Sequence, residues 1–226
     1  MRVMKKTVIP SAKQNNPTRS DGIEARQRLL DCATQLFAEH GFTKTSTREI
    51  ARLANVNISA ISYYFGDKEK LFRAVFNNPQ FNPNIDPAFF EQTDLSLQSG
   101  IEMLIHTFTD TFKHGEQAQH CLKLHLREML EPTGLWREEI DVMIQPAHLA
   151  LTQFLCRHLG VKKADDDMHR LAFAIAGLAC SLMVSGDVIQ HVRPNLINQH
   201  KAIDTYAQRM VEYALAMCDA EKKRRN

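Results

Sequence analysis

Between positions 47 and 68 the chain gathers Thr47, Arg48, Asn57, Ser59, Ser62, Tyr63, Tyr64 and Lys68. These are hydroxyls, an amide and two cations, the groups that bind phosphate oxygens and base edges. Bond-making chemistry has no such foothold: the chain contains no GxSxG, HExxH, P-loop or GxGxxG pattern. The expected activity is therefore recognition of double-stranded DNA, not catalysis.

The elements that must position these groups are legible in the spacing of apolar residues. Ile50, Ala51 and Ala54 mark one helical stripe over 47–54, and Ile61 and Phe65 mark a second over 58–65. Only Asn55, Val56 and Asn57 separate them, which is the layout of a helix-turn-helix whose second helix enters the major groove. Ala51 is small where the two helices cross. Asn55 falls where the bend needs a left-handed backbone, which asparagine tolerates best after glycine. Val56 is expected to plug the corner. Ser46 or Thr47 can cap the first helix, with Glu49 completing a capping box on Ser46, and Asn57 can cap the second. The alternative for this spacing is an ordinary helical hairpin inside a core.

The rest of the chain reads as all-α. A first helix is expected over 24–40, stopped by Gly41, and a fourth over 68–76 after the turn at Gly66 and Asp67. Residues 77–90 hold Pro79, Pro83 and Pro87 and read as a linker. Further helices are expected over 95–114, 118–130, 135–159 with a kink at Pro146, 165–192 and 196–222. The division is a basic arm at 1–21, a reading head at 22–80 (helix-turn-helix about 46–65) and a helical body at 81–226. Residues 1–80 carry 13 Lys and Arg against 7 Asp and Glu, a net of +6 in a chain of net +2. A basic head on an acidic body suits docking of one end on a polyanion. The arm, with Arg2, Lys5, Lys6, Lys13 and Arg19, either adds phosphate contacts or is a solvating tail.

Five cysteines, an odd number without a CxxC pair, fit free thiols in a reducing cytoplasm. No stretch reaches the roughly 18 apolar residues of a membrane span, and no secretory leader is expected. The last two helices are apolar on broad faces. Ala172, Ala176, Gly177, Ala179 and Cys180 suggest close packing in a four-helix dimer interface, with an internal core as the alternative.

Three segments carry a resemblance to a known family. LLDCATQLFAEHGF (29–42), TSTREIA (45–51) and AISYYFGDKEKLF (60–72) resemble the DNA-binding domain of TetR/AcrR-family transcriptional regulators over roughly 22–80. Ser62 departs from the tyrosine many members carry there. The resemblance implies contacts to DNA from Thr47, Arg48, Ser59, Tyr63, Tyr64 and Lys68, and a homodimer through the last two helices. It also implies repression of a near-palindromic operator, relieved by a small-molecule inducer, without a required cofactor. REMLEPTG (127–134) followed by a helix broken at Pro146 resembles the C-terminal domain of CecR-like members.

The body supplies His106, Phe108, Phe112, Cys121, His125, Arg127, Trp136, Met143, His148, Phe154 and Met183, apolar and aromatic residues with a few polar groups. They are candidates for lining an effector cavity, or for simple core. Cys121 and His125, four apart on one helix with His114 and His120 near, offer a rival metal-responsive reading. A helical protein-binding adaptor is a further alternative.

Overall fold

The structure, a computed structural model, describes residues 19–78 and 85–226. Most of the basic arm, together with Pro79 and Pro83, lies outside them. Among the described residues every regular element is helical.

Helix α1 (Arg19–Lys44) begins earlier than its apolar stripe suggested and takes in the end of the arm. Gly41 interrupts it with φ 76°, so the glycine breaks the helix where expected and a short turn continues to Lys44. Leu29, Ala33, Leu36 and Phe37 are fully or almost fully buried and form the floor of the head. Against them pack α2 (Thr47–Leu53), α3 (Ser59–Phe65) and α4 (Lys68–Phe76). The last of these has the bounds its sequence predicts, because the Asp67 carboxylate accepts the Lys70 N–H at 2.8 Å and caps it.

Asn55 is the one non-glycine residue with positive φ among the described residues, at 52°. Its N–H donates to the Arg52 carbonyl at 3.2 Å and the Val56 N–H reaches back to Ala51 at 3.0 Å. This is a complete Schellman closure with asparagine in glycine's place. Val56 tucks against the head core as expected. Asn57 sits one position ahead of the N-cap of α3, which is Ile58 without a side-chain cap bond; its Oδ1 accepts from the Ser59 N–H at 2.9 Å and so supports the helix start from the turn. The capping box does not form, since Ser46 makes no side-chain cap bond to α2.

The linker contains a short helix, α5 (Pro87–Glu91), started by the Asp86 carboxylate and by proline at its first turn. The body comprises α6 (Leu97–Thr109), α7 (Glu116–Leu130), α8 (Leu135–Glu139), α9 (Gln145–Leu159), α10 (Asp166–Ala179), α11 (Ser181–Val192) and α12 (His200–Arg225). Two predicted single helices are each divided. The irregularity near Pro146 lies just before it, where Ile140–Ile144 winds as a π turn and the Gln145 N–H bonds Ile140. Proline has no N–H and its ring crowds the preceding turn, so the wider turn absorbs the misfit. The expected helix over 165–192 bends by 41° at Cys180. No single described helix is long and apolar enough to cross a membrane.

The bend re-aims the small residues. Ala172 and Ala179 are buried in the body core, Ala176 and Cys180 face a cavity, and only Gly177 is open. The internal-core reading therefore holds for most of that stripe. Exposed apolar surface lies elsewhere, at Phe173 on α10 and at Val184, Val188 and Val192 along α11.

Candidate nucleic-acid interface and effector cavity

The head core is what aims α3. Ile61 and Phe65 are buried, so Ser62 and Tyr63 on the opposite side are turned to solvent. Tyr63 is 82% exposed, a large solvent-facing surface for an aromatic residue. Its ring meets Tyr64 edge-on at 4.8 Å. Tyr64 is half-buried against the head core, with its hydroxyl beside Gly22 of α1. Ser59 is exposed, and its hydroxyl donates to the Asn57 side chain at 2.8 Å. The Asn57 oxygen is thereby committed to the turn, leaving its NH2 for other partners.

Thr47 is half-buried and Arg48 exposed at the start of α2. Lys68 is held at the same face by a contact that sequence reasoning missed: its ammonium sits 4.5 Å from the Phe42 ring centroid. Partial burial lowers its pKa. Other missed residues fix the angles of the head. Buried Thr45 donates to Gly41 and Leu36 carbonyls, at 2.7 and 3.0 Å, and locks the α1–α2 corner. Arg28 donates to the Ala54 carbonyl at 3.2 Å, at the end of α2. Arg26 stacks over Phe65 at 5.0 Å. Isolated charges on a helix face carry no signal of such roles.

In the body a cavity of about 290 Å³ opens between α6, α7, α8, α9, α10 and α11. Six of the residues the sequence offered line it: Phe108, His125, Trp136, Met143, His148 and Met183. Leu104, Leu126, Met129, Leu151 and Phe173 complete an apolar wall. The other candidates lie elsewhere. His106 faces Asp110 at 3.5 Å on the far side of α6. Phe112 packs near Gly186, and Phe154 packs against Phe90 in the body core. Cys121 is buried one turn before His125, its thiol pushed up to about 12 by desolvation.

Arg127 is not a cavity residue but a clasp between body and head. It donates to the Glu39 carbonyl at 3.2 Å, and its side chain lies against Gly41, where a Cβ would come within 3.3 Å of it. The partners are 88 residues apart in sequence, so nothing local signals the contact. Glu128, also missed, is buried: its Oε1 accepts from the Thr133 N–H at 2.7 Å, the Thr133 hydroxyl at 2.8 Å and the Trp136 N–H at 3.3 Å. It thereby sets the corner that carries Trp136 to the cavity.

The donor set does not favour a metal on α7. The Cys121 thiol is held protonated by burial, and the His125 Nδ1–H is spent on the Cys121 carbonyl at 2.8 Å. The trio His106, Asp110 and Asp204 does converge, but the Lys113 ammonium already lies 2.6 Å from Asp110 and 2.5 Å from Asp204.

Head and body are joined at α4 and α7. Leu124 and Leu135 of the body belong to the head core, Arg73 of α4 pairs with Glu138 of α8, and Phe76 stacks on His125 at 4.2 Å.

Residues 29–75 match the family model described as bacterial regulatory proteins of the tetR family. Residues 97–220 match that of the C-terminal domain of the HTH-type transcriptional dual regulator CecR. The chain is 31% identical to CecR of Shigella flexneri over 72% of this chain and 78% of that protein. It is 36% identical to the HTH-type transcriptional repressor NicS of Pseudomonas putida, over 62% of this chain and 80% of that protein. NalD, the secondary repressor of the MexAB-OprM multidrug efflux pump in Pseudomonas aeruginosa, shares the fold. Its TM-score is 0.64 at 21% identity, covering 87% of this chain and 98% of that one. With a head and a body that both match, the chain belongs to the TetR family of bacterial helix-turn-helix transcription regulators, not to a family of enzymes.

Proposed function

We propose that the protein is a small-molecule-responsive repressor that grips a near-palindromic operator as a twofold homodimer in the cytoplasm, with no resident cofactor. The observation that carries this reading is the outward face of α3, where Ser62 and Tyr63 stand free while Ile61 and Phe65 fix the helix to the head core. Ser62 and Tyr63, with Ser59 and the free amide group of Asn57, are assigned to the major groove and its edges. Thr47, Arg48, Tyr64 and Lys68 are assigned to the flanking phosphates. The surplus of positive charge in residues 1–80 favours the same end of the molecule for the polyanion.

Dimerisation is assigned to the exposed apolar side of α11 and the neighbouring face of α12. Val184, Val188 and Val192 form a stripe beside an open groove of about 870 Å³ that includes Leu196, Tyr206, Arg209 and Tyr213. A twofold contact there presents two heads to two half-sites. The cavity supplies the effector site. A molecule that fits it better in one arrangement of α4 shifts the separation of the heads and weakens operator binding.

Enrichment of random duplexes on the purified protein tests the reading. The expected result is a palindromic consensus whose affinity falls steeply with salt and falls about tenfold further in Tyr63→Ala. Failure to retain any duplex at low ionic strength overturns it.

A further inference from the structure

We propose that His125 is the polar anchor of the cavity, and that the cavity takes a neutral aromatic molecule bearing a phenolic hydroxyl. The inference rests on the effector-site reading above and names the chemistry of that site. His125 is 6% exposed and sits on the cavity wall. Its Nδ1 lies 2.8 Å from the Cys121 carbonyl, which can only accept, so Nδ1 carries the proton. That fixes the tautomer and leaves Nε2 as a bare acceptor; Nε2 is buried without a partner and closed to water-sized groups, so a ligand hydroxyl reaches it only when the ring or a neighbouring wall side chain shifts. A buried acceptor left unpaired is costly, and a ligand that brings a donor recovers that cost.

The remaining wall narrows the class. Phe108, Trp136 and Phe173 offer aromatic surface, and Met129, Met143 and Met183 offer adaptable thioethers. No Lys or Arg is among the described lining residues, so nothing there neutralises an anion, and the one carboxylate in the wall, Glu139, already has a partner in the protein. Burial also lowers the His125 pKa, opposed by its bond to Cys121 and the charge of Glu128, so the ring meets the ligand neutral. The volume, about 290 Å³, stands at the small end of the roughly 300–1,000 Å³ usual for ligand pockets. A substituted single ring suits it.

The same imidazole has a second neighbour. Its face stacks on Phe76, the last residue of α4, with centroids 4.2 Å apart and planes 23° apart. A hydroxyl that pulls on Nε2 therefore acts on the ring that braces the helix leading to the DNA head.

Trp136, the only tryptophan of the chain, lies in the cavity wall and reports occupancy through its fluorescence. The test titrates the full-length protein with para-tert-butylphenol, its methyl ether para-tert-butylanisole, and the cation para-tert-butylbenzylammonium. The expected result is that the phenol binds at least about tenfold tighter than the ether. His125→Phe keeps a ring against Phe76 and should erase that preference, while His125→Gln, which restores a polar tip, should recover part of it. The phenol should weaken retention of the enriched duplex in the wild type and not in Phe76→Leu, although that variant still binds it. Equal affinity for phenol and ether, or tighter binding of the cation, overturns the assignment of His125, and needs no variant to fold. A full phenol effect on DNA in Phe76→Leu overturns the coupling through the stack. Failure of the ligand-free protein to bind any duplex is a separate result, which strikes the repressor reading and leaves the cavity chemistry measurable.

Discussion

The reading head depends on a turn that only a left-handed residue can make, and substitution at Asn55 measures that dependence. Its φ is 52°, and its side chain is exposed, so replacing it removes no packing. For a residue with a Cβ the left-handed region costs about 1–2 kcal/mol, a cost asparagine partly escapes and glycine escapes altogether. Asn55→Ala should therefore lose about 1 kcal/mol, and Asn55→Val more, because branching at Cβ worsens the clash. Asn55→Gly should stay within roughly 0.5 kcal/mol of the parent, since relieved strain offsets the greater freedom of the unfolded chain. At this chain length each kcal/mol moves the thermal midpoint by about 2–4 °C. Thermal unfolding followed by circular dichroism, with urea titration as a check, reads the series directly. Glycine and asparagine must both exceed alanine, and alanine must exceed valine. Were the position helical, alanine would exceed glycine by about 1 kcal/mol. A midpoint for Asn55→Ala at or above that of Asn55→Gly would thus refute the turn geometry, and with it the placement of α3.

Three further outcomes are expected. Gly100→Ala should cost about 1–3 kcal/mol in urea unfolding, because its Cβ would come within 2.3 Å of Phe154 Cζ in the wall between α6 and α9. The Arg225 guanidinium and the Met168 N–H hold the Asp165 carboxyl well below its usual range. A depressed folded pKa means stability that is present above the unfolded value, about 4, and is lost as the pH falls through the folded one. Arg225→Gln should lower the thermal midpoint at neutral pH, and the gap to wild type should narrow steadily below about pH 4. Val188→Asp places a charge in the exposed α11 stripe; sedimentation should then give a monomer whose secondary structure is unchanged and whose affinity for a palindromic duplex collapses to that for a half-site.

What could be read from sequence was whatever local chemistry decides. The turn at Gly66 and Asp67 and the left-handed Asn55 each act within a few positions, so α4 and the reading turn were legible nearly to the residue, although the Asp67 cap itself emerged only in the structure. Apolar spacing also marked the outer limits of the body helices. It did not mark the bend at Cys180, because the apolar residues of α10 and α11 follow one helical rhythm and no proline or glycine stands at the break. The bend becomes intelligible only beside the cavity, which Phe173 and Ala176 line before it and Met183 and Val184 after it. Of the residues proposed for an effector cavity, Phe108, His125, Trp136, Met143, His148 and Met183 line the cavity, while His106, Phe112, Cys121, Arg127 and Phe154 face elsewhere, since residue type identifies a candidate and only packing identifies the face. Arg127 and Glu128 are neighbours in sequence, yet one clasps α1 and the other turns the chain toward Trp136.

Those two neighbours show why the head and body cannot move independently. Leu124 and Leu135 are buried with Phe72, Val75 and Phe76 in one core, so the head core is partly built from α7 and α8, helices whose other side chains line the cavity. Close-packed interiors do not deform smoothly, so under the proposed effector reading a change at that wall is expected to pass on as a switch between packings. Arg73 and Glu138 tie α4 to α8 at the rim, while Phe76 and His125 tie α4 to α7 inside. An effector that shifts Trp136 and His125 together therefore works on both fastenings of α4 at once. The Arg127 clasp near Gly41 holds α1 to α7, the same helix on which Phe76 of α4 rests, so α7 fastens both α1 and α4 to the body.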